Sequence, residues 1–297
     1  MMPQTVRLCW LWGTTPWHPP SYASSMRVAL CQIPVSSHPE VNSGRVRAAL
    51  AEAADKGADL AVFPEATQVR FGSDLRAAAE PLDGPFCSGL ADAAKQAGVA
   101  LVACVFEPAP DGRVHNTAVA YDQAGELVAA YRKLHLFDAF GHRESDEVAP
   151  GSAPVLCTLR GVRVGLAICY DVRFGELSRA LAVAGAELLV LPAAWAAGLG
   201  KEEHWVTLVR ARAIENTMWV AAVDQVPDPD ERPTRAATGV GRSLLVDPLG
   251  VVRADLGSGP GVTVAEVDTG LIGTVRASLP SLDNRRDDVF GRPPAIT

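Results

Sequence analysis

Residues 165–177 read GLAICYDVRFGEL, an apolar run that stops at Cys169, a polar turn carrying Asp171 and Arg173, and a helix-like stretch from Glu176. Val162–Ile168 has the length and apolar content of a buried strand, and Glu176–Ala184, closed by Gly185, that of a helix. Strand, tight turn and helix in that order form the repeating unit of an α/β fold. Such a junction lifts one side chain above the sheet edge and aims backbone N–H groups beside it. A helix N-terminus at that point would also favour thiolate over thiol at Cys169. The competing reading is a packed core cysteine, and the strand-end position with charged neighbours favours the functional one.

Outward from this unit the pattern recurs on both sides. Arg27–Ile33 is a short apolar strand ended by Pro34, and Asn42–Lys56 carries Val46, Leu50 and Ala53 at helical spacing with Gly57 just beyond. Asp59–Phe63 is a strand stopped by Pro64, Pro85–Gln96 a helix and Val99–Phe106 a buried strand. Asn116–Tyr121 and Leu127–Tyr131 make a hairpin around Gln123-Ala124-Gly125. Glu187–Leu191 is a strand, Glu203–Asn216 a helix and Met218–Val223 a strand. Ser243–Val246 then pairs with Val251–Ala254 across Asp247-Pro248-Leu249-Gly250. Continuous apolar strands flanked by helices imply a sheet buried on both faces or stacked on a second sheet. No Pro/Ser-rich linker interrupts the chain after Met26, so residues 26–297 are expected to form a single α/β domain. Residues 1–25 are rich in Trp, Pro and Ser and are expected to be a disordered extension; Arg7 and the Pro-rich stretch after it make a poor signal peptide.

Composition narrows the function. The chain has 297 residues, 48% hydrophobic and 21% charged, with a net charge of −7. Its basic residues are scattered, which argues against a nucleic-acid partner. The longest apolar runs, such as LLVLPAAWAAGLG from Leu188, are broken by Pro and Gly and are too short to cross a membrane. The 6 cysteines form no C-x-x-C pair and mostly sit in apolar segments, as small core hydrophobes do in a reducing compartment. No zinc pattern is present, and a cytoplasmic enzyme is the expectation.

Two further strand ends carry charge. Glu65 closes DLAVFPE, where a carboxylate leaving a buried run loses part of its water and suits proton carriage near neutral pH. Taken alone it fits equally a glutamate accepting backbone N–H bonds. Lys133 closes LVAAYRK and precedes LHLFD, in a chain whose only other lysines are Lys56, Lys95 and Lys201. An isolated lysine is ordinarily a solvated surface residue. Glu144, in HRESDE, has the composition of a solvated loop charge.

In combination, GLAICYDVRFGEL, VFPEAT and YRKLHLFD are specific. With HNTAVAYD, ESDEVAPG, HWVTLVRARAIEN, GRSLLVDPLG and LPSLDNRRDDVFG they occur in the order seen in the nitrilase-like carbon–nitrogen hydrolases. The chain resembles that family from Met26 to about Phe290, most closely the branch containing ω-amidase and deaminated-glutathione amidase. The resemblance implies a four-layer α-β-β-α sandwich. It also implies a homodimer or larger homo-oligomer assembled through helices that include Glu176–Ala184 and Glu203–Asn216. Carried over by position, Cys169 is the nucleophile and Glu65 the general base and acid. Lys133 is the cation on the oxyanion side, joined by the Tyr170 backbone N–H, and Glu144 is the second carboxylate that orients Lys133 and the substrate amide. The implied substrate is a small-molecule amide, with no metal and no organic cofactor.

Arg173 falls where relatives hold a substrate carboxylate; an ion pair with Glu176 or Asp171 is the alternative. Trp195 falls where relatives place a pocket aromatic, or it is core. Gly175 replaces a proline common in relatives, at a position expected to tolerate variation. Leu199-Gly200 and Lys201-Glu202-Glu203 replace a Thr-Gly pair before HW, so a hydroxyl suited to a substrate carboxylate is missing or displaced. Dicarboxylate monoamides are the first expectation for substrate. A neutral amide, an N-carbamoyl compound or a catalytically silent binding member are the alternatives. A Cys–His dyad using His135, His115 or His204 is the mechanistic rival. Lys133→Ala should abolish amide turnover while His135→Ala largely spares it, read as ammonia release; the reverse outcome would favour the dyad.

Overall fold

The computed structural model describes residues 25–231, 236–293 and 296, so all but Ser25 of the expected N-terminal extension lies outside the described residues. Alternation within the first strand, β1 (Ser25–Gln32), sets the layers. Met26, Val28 and Leu30 point into a core shared with the second sheet, and Ala29 and Cys31 into a core beneath helices.

The chain continues as α1 (Pro39–Asp55), β2 (Leu60–Val62), α2 (Leu75–Ala78), α3 (Pro85–Ala97), β3 (Ala100–Pro108), β4 (Val114–Tyr121) and β5 (Leu127–Arg132). A two-stranded ribbon, β6 (Asp138–Ala139) and β7 (His142–Arg143), leads to β8 (Val155–Leu159), β9 (Val162–Leu166), α4 (Gly175–Val183) and β10 (Leu188–Ala193). The last part is α5 (Lys201–Asn216), β11 (Trp219–Asp224), β12 (Leu244–Val246), β13 (Val252–Asp255), β14 (Gly261–Asp268), α6 (Gly270–Ser278) and α7 (Asp287–Phe290).

One six-stranded sheet has the order β14-β1-β2-β3-β4-β5, the other β13-β12-β11-β10-β9-β8. In each, the central three strands are parallel: β1 beside β2 beside β3, and β9 beside β10 beside β11. The outer pairings are antiparallel. Phe86 and Leu90 of α3 and Val46 and Leu50 of α1 cover the first sheet, while Leu181 of α4 and Trp205 and Val209 of α5 cover the second. The result is the α-β-β-α sandwich.

Several boundaries differ from the sequence reading for local reasons. α1 starts at Pro39, whose ring presets a helical φ, with Glu40 in the first turn. Asn42 is therefore inside the helix; its amide holds Ser36 and the Gln68 carbonyl. α5 starts at Lys201 rather than Glu203, because Gly200 at φ 69° turns the chain into it. β8, β14 and α6 were not expected. β14 alternates weakly between buried and exposed positions, and its place is set by pairing along all of β1. The parallel topology matters most for the site: β2, β9 and β10 end on one edge of the sandwich, where the two sheets face each other. There Glu65 N donates to Ala193 O at 3.2 Å across the sheets.

Candidate active site

Strand ends deliver Glu65, Lys133 and Cys169 to this edge. Cys169 lies three residues beyond β9 and opens a 3-10 turn, Cys169–Arg173. Its φ of 46° is in the left-handed region. That conformation costs a non-glycine residue on the order of 1–2 kcal/mol and persists only where its surroundings hold it. Asp171, 1% exposed, is the clamp. Its carboxylate accepts from Ile168 N (2.8 Å), the Tyr131 hydroxyl (2.7 Å) and His135 N (3.1 Å), and faces His135 Nδ1 at 2.7 Å. One carboxylate thus ties the turn after β9 to the end of β5 in the opposite sheet. Arg212 of α5 adds a bond from Nε to Val172 O at 2.8 Å. A Cβ at Gly175 would lie 2.5 Å from the Arg212 guanidinium, the end of a long side chain that would have to shift.

Glu65 emerges from β2 past Pro64 and is 1% exposed. Its Oε1 accepts from Lys133 Nζ and Asn116 Nδ2, both at 2.8 Å, and Oε2 accepts from Ala194 N at 2.9 Å. Lys133, the first residue past β5, anchors its own N–H on Asn116 O at 2.9 Å. Its ammonium also reaches both oxygens of Glu144, at 3.0 and 2.9 Å. Glu144 is 4% exposed, against its reading as a solvated loop charge. A short 3-10 turn, Glu144–Asp146, folds it inward, where it also accepts from Phe137 N at 2.6 Å.

Burial works against the charge of Lys133, but Glu144 and Glu65 outweigh it and hold the ammonium well above the usual lysine range. Cys169 is affected in the opposite sense. Burial, reinforced by Glu65, pushes its thiol well above the ordinary value, with Lys133 and the Ala194 amide opposing. The shift runs against the thiolate expected at a helix terminus, because burial and Glu65 act on the sulfur and only a five-residue 3-10 turn, not a helix, begins there. The thiol needs a base beside it to become a nucleophile.

Cys169, Glu65, Lys133, Glu144, Tyr170 and Trp195 all line one cavity of about 520 Å³. Trp195 is 2% exposed; its N–H donates to Asp224 Oδ1 and its Nε1 to Lys201 O, both at 2.7 Å. Arg173 does not line this cavity. Its guanidinium carbon lies 4.9 Å from the Trp195 ring centroid, and Nη2 lies 3.4 Å from His204 Nδ1. Among the described residues it pairs with no carboxylate, so the alternative ion pair with Glu176 or Asp171 is not formed either.

Of the rival histidines, His135 is held by Asp171 and stacked on Phe174 with centroids 3.7 Å apart, outside the cavity. His115 faces Ala149 O. His204 lines the cavity wall but its Nδ1 faces Arg173.

Two site residues escaped the sequence reading. Asn116 lies inside the quoted HNTAVAYD, but its carboxylate partners are 51 and 28 residues away, so no local signal marks its role. Lys201 was legible only as one of the rare lysines; it lines the cavity and is 7% exposed.

A buried thiol thus shares a cavity at the sandwich edge with a lysine gripped by two glutamates, a set of groups able to supply a nucleophile, a proton carrier and a fixed cation. Residues 27–277 match the carbon-nitrogen hydrolase family model, and the chain belongs to that family. It is 44% identical over 271 residues to a hydrolase of Mycobacterium tuberculosis, covering 89% of this chain and 97% of the relative. It is 40% identical over 266 residues to the deaminated glutathione amidase of Escherichia coli O157:H7, covering 88% and 97%. A solved amidase from Nesterenkonia sp. AN1, with the acetamide moiety of fluoroacetamide added covalently at its active site cysteine, superposes with a TM-score of 0.77. It has 29% identity and covers 89% of this chain and 95% of that one. The protein is a carbon–nitrogen hydrolase, an amidase with the nitrilase fold, in the branch of ω-amidase and deaminated-glutathione amidase.

Asp171→Ala leaves buried donors from both sheets without an acceptor, at about 1–3 kcal/mol for such a group. We expect a lower urea midpoint together with loss of turnover; a variant with unchanged stability and rate would show that Asp171 does not hold the turn.

Proposed function

We propose that this amidase releases ammonia from a small carboxylate-bearing monoamide, with Cys169 as nucleophile, Glu65 as proton carrier, and Lys133 and the Tyr170 N–H as oxyanion donors. The observation that carries this reading is Lys133 Nζ held 2.8 Å from Glu65 and 2.9 Å from Glu144, in the cavity that also contains the Cys169 sulfur. Glu65 takes the thiol proton as Sγ bonds to the amide carbon, and the carbonyl oxygen gains the negative charge. Lys133, kept charged and fixed by Glu144, stabilises that oxyanion in a water-poor site, where electrostatic stabilisation is strongest. Glu65 then passes its proton to the nitrogen, the C–N bond breaks, and ammonia leaves a thioester. Water, deprotonated by Glu65, attacks the thioester carbon; the C–S bond breaks and the carrier returns its proton to sulfur, freeing the acid.

Support for the substrate class comes from the relative named deaminated glutathione amidase and from the site chemistry. The same reading carries a cytoplasmic homodimer joined through α4 and α5. In its support, Val183 of α4 and Ile214 of α5 are exposed, and Gly250 packs on Ile214 beside exposed Leu249 and Val251. Among the described residues no helix is long and apolar enough to cross a membrane.

Cys169→Ala is expected to lower kcat by at least about 10³-fold. Intact mass should show an acyl adduct on the wild type with a slow amide and none on the variant. Adduct or turnover persisting in Cys169→Ala would sink the assignment, and a monomer by sedimentation would sink the dimer.

A further inference from the structure

The cavity is electrically lopsided. At its catalytic end Lys133 is neutralised by Glu65 and Glu144, and both carboxylates lie within hydrogen-bonding distance of the ammonium. Elsewhere on the same wall stands a second lysine with no such partner. Lys201 Nζ lies 4.5 Å from the ring centroid of Trp195 and 5.1 Å from those of both Phe137 and Phe140. All three aromatics line the cavity. Among the described residues the ammonium has no carboxylate and no hydrogen-bond acceptor, although the residue is only 7% exposed.

An ammonium on a cavity wall, faced by π-surfaces and by no carboxylate, keeps part of its attraction for an anion unspent. Burial holds Lys201 below the usual lysine range, and the nearby Arg173 guanidinium adds to that effect. Arg173 rests on the same Trp195 ring, so two cations without carboxylate partners flank one aromatic. Lys201 is also the first residue of the 16-residue helix α5, whose positive end favours negative charge in the same place. Its backbone is fixed, because the carbonyl accepts from Trp195 Nε1 at 2.7 Å and the N–H donates to Gly198 O at 3.1 Å. The cation is therefore placed in advance, on a segment where the expected hydroxyl is absent.

We propose that Lys201 is the anion anchor of the substrate site: its ammonium, boxed by Phe137, Phe140 and Trp195, binds the carboxylate that the substrate carries away from its scissile amide. This rests on the amidase reading above and gives the substrate class a named receptor. A carboxylate there completes a charge-assisted pair in low dielectric. A neutral group of the same size leaves the cation unpaired. The aromatic walls admit the aliphatic segment that joins amide to acid. Arg173, outside the cavity, contributes potential without touching the ligand.

The test compares the monoamide of succinic acid with the methyl ester of that monoamide, using the full-length protein. Wild type should show a kcat/KM for the acid at least about tenfold above that for the ester, and Lys201→Met should lower this ratio on the order of 10- to 100-fold. Lys201→Gln, which keeps length and polarity, serves the same purpose should the methionine variant fail to fold. Lys201→Arg should retain the preference. A wild type indifferent to the acid, or a ratio unmoved by Lys201→Met or Lys201→Gln, overturns the assignment. So does a ratio that collapses in Arg173→Ala and not in the Lys201 variants. Turnover with an unmoved ratio removes Lys201 alone. No turnover of either compound, with no acyl adduct on Cys169, removes the amidase reading and the anchor with it.

Discussion

The edge of the sandwich depends on one buried ammonium shared by two carboxylates. Lys133, Glu65 and Glu144 are each under 5% exposed, so none of the three charges is stabilised by bulk water. Desolvating ions costs several kcal/mol each, and only close, hydrogen-bonded pairing offsets it. Glu65 and Glu144 supply that pairing for Lys133, and Asn116 supplies a neutral donor to both. Removing one member strands the others, so the cluster either forms complete or destabilises the edge. Each member comes from a different segment, which makes the ion cluster a constraint on how the segments converge.

Asp171 solves the companion problem of holding a residue at an unfavourable backbone angle. The left-handed Cys169 aims its side chain into the cavity, and the Asp171 carboxylate fixes the residue before it, Ile168. The same carboxylate reaches Tyr131 and His135, on either side of Lys133. Cys169 and Lys133 are thereby set relative to one another by one acceptor lying outside the cavity. The histidine that could have formed a dyad with the cysteine is instead part of this scaffold. Burial and Glu65 raise the thiol, so it calls for a base beside it, and a raised thiol is less open to adventitious chemistry.

Two sets of charged groups meet at the cavity. Glu65, Lys133 and Glu144 line it with Cys169, while Lys201 on its wall and Arg173 outside it both approach Trp195. The aromatic rings around Lys201 lower the local dielectric and strengthen its field. With Lys201 as the anchor proposed above, such a site would orient a substrate that is an amide at one end and an anion at the other.

Much of this was legible in the primary structure. Apolar runs ending at Glu65, Lys133 and Cys169 marked strand termini, and strand termini of an α/β fold are where ligands gather, so their chemistry could be read before their geometry. Local pattern also placed most helices and strands, because burial on one face imposes periodicity on neighbouring residues. The tertiary structure alone decided what depends on distant partners. Glu144 has the composition of a solvent-facing charge and is buried by a turn that brings it to Lys133. Arg173 lies in the motif beside the nucleophile yet rests on Trp195 outside the cavity, and Lys201 lies in a stretch that departed from the pattern yet enters the cavity. Periodicity reports whether a residue faces inward, since that follows from its neighbours in the chain. Which charge it meets there is set by strands and helices tens of residues away, and only the packed sandwich brings those together.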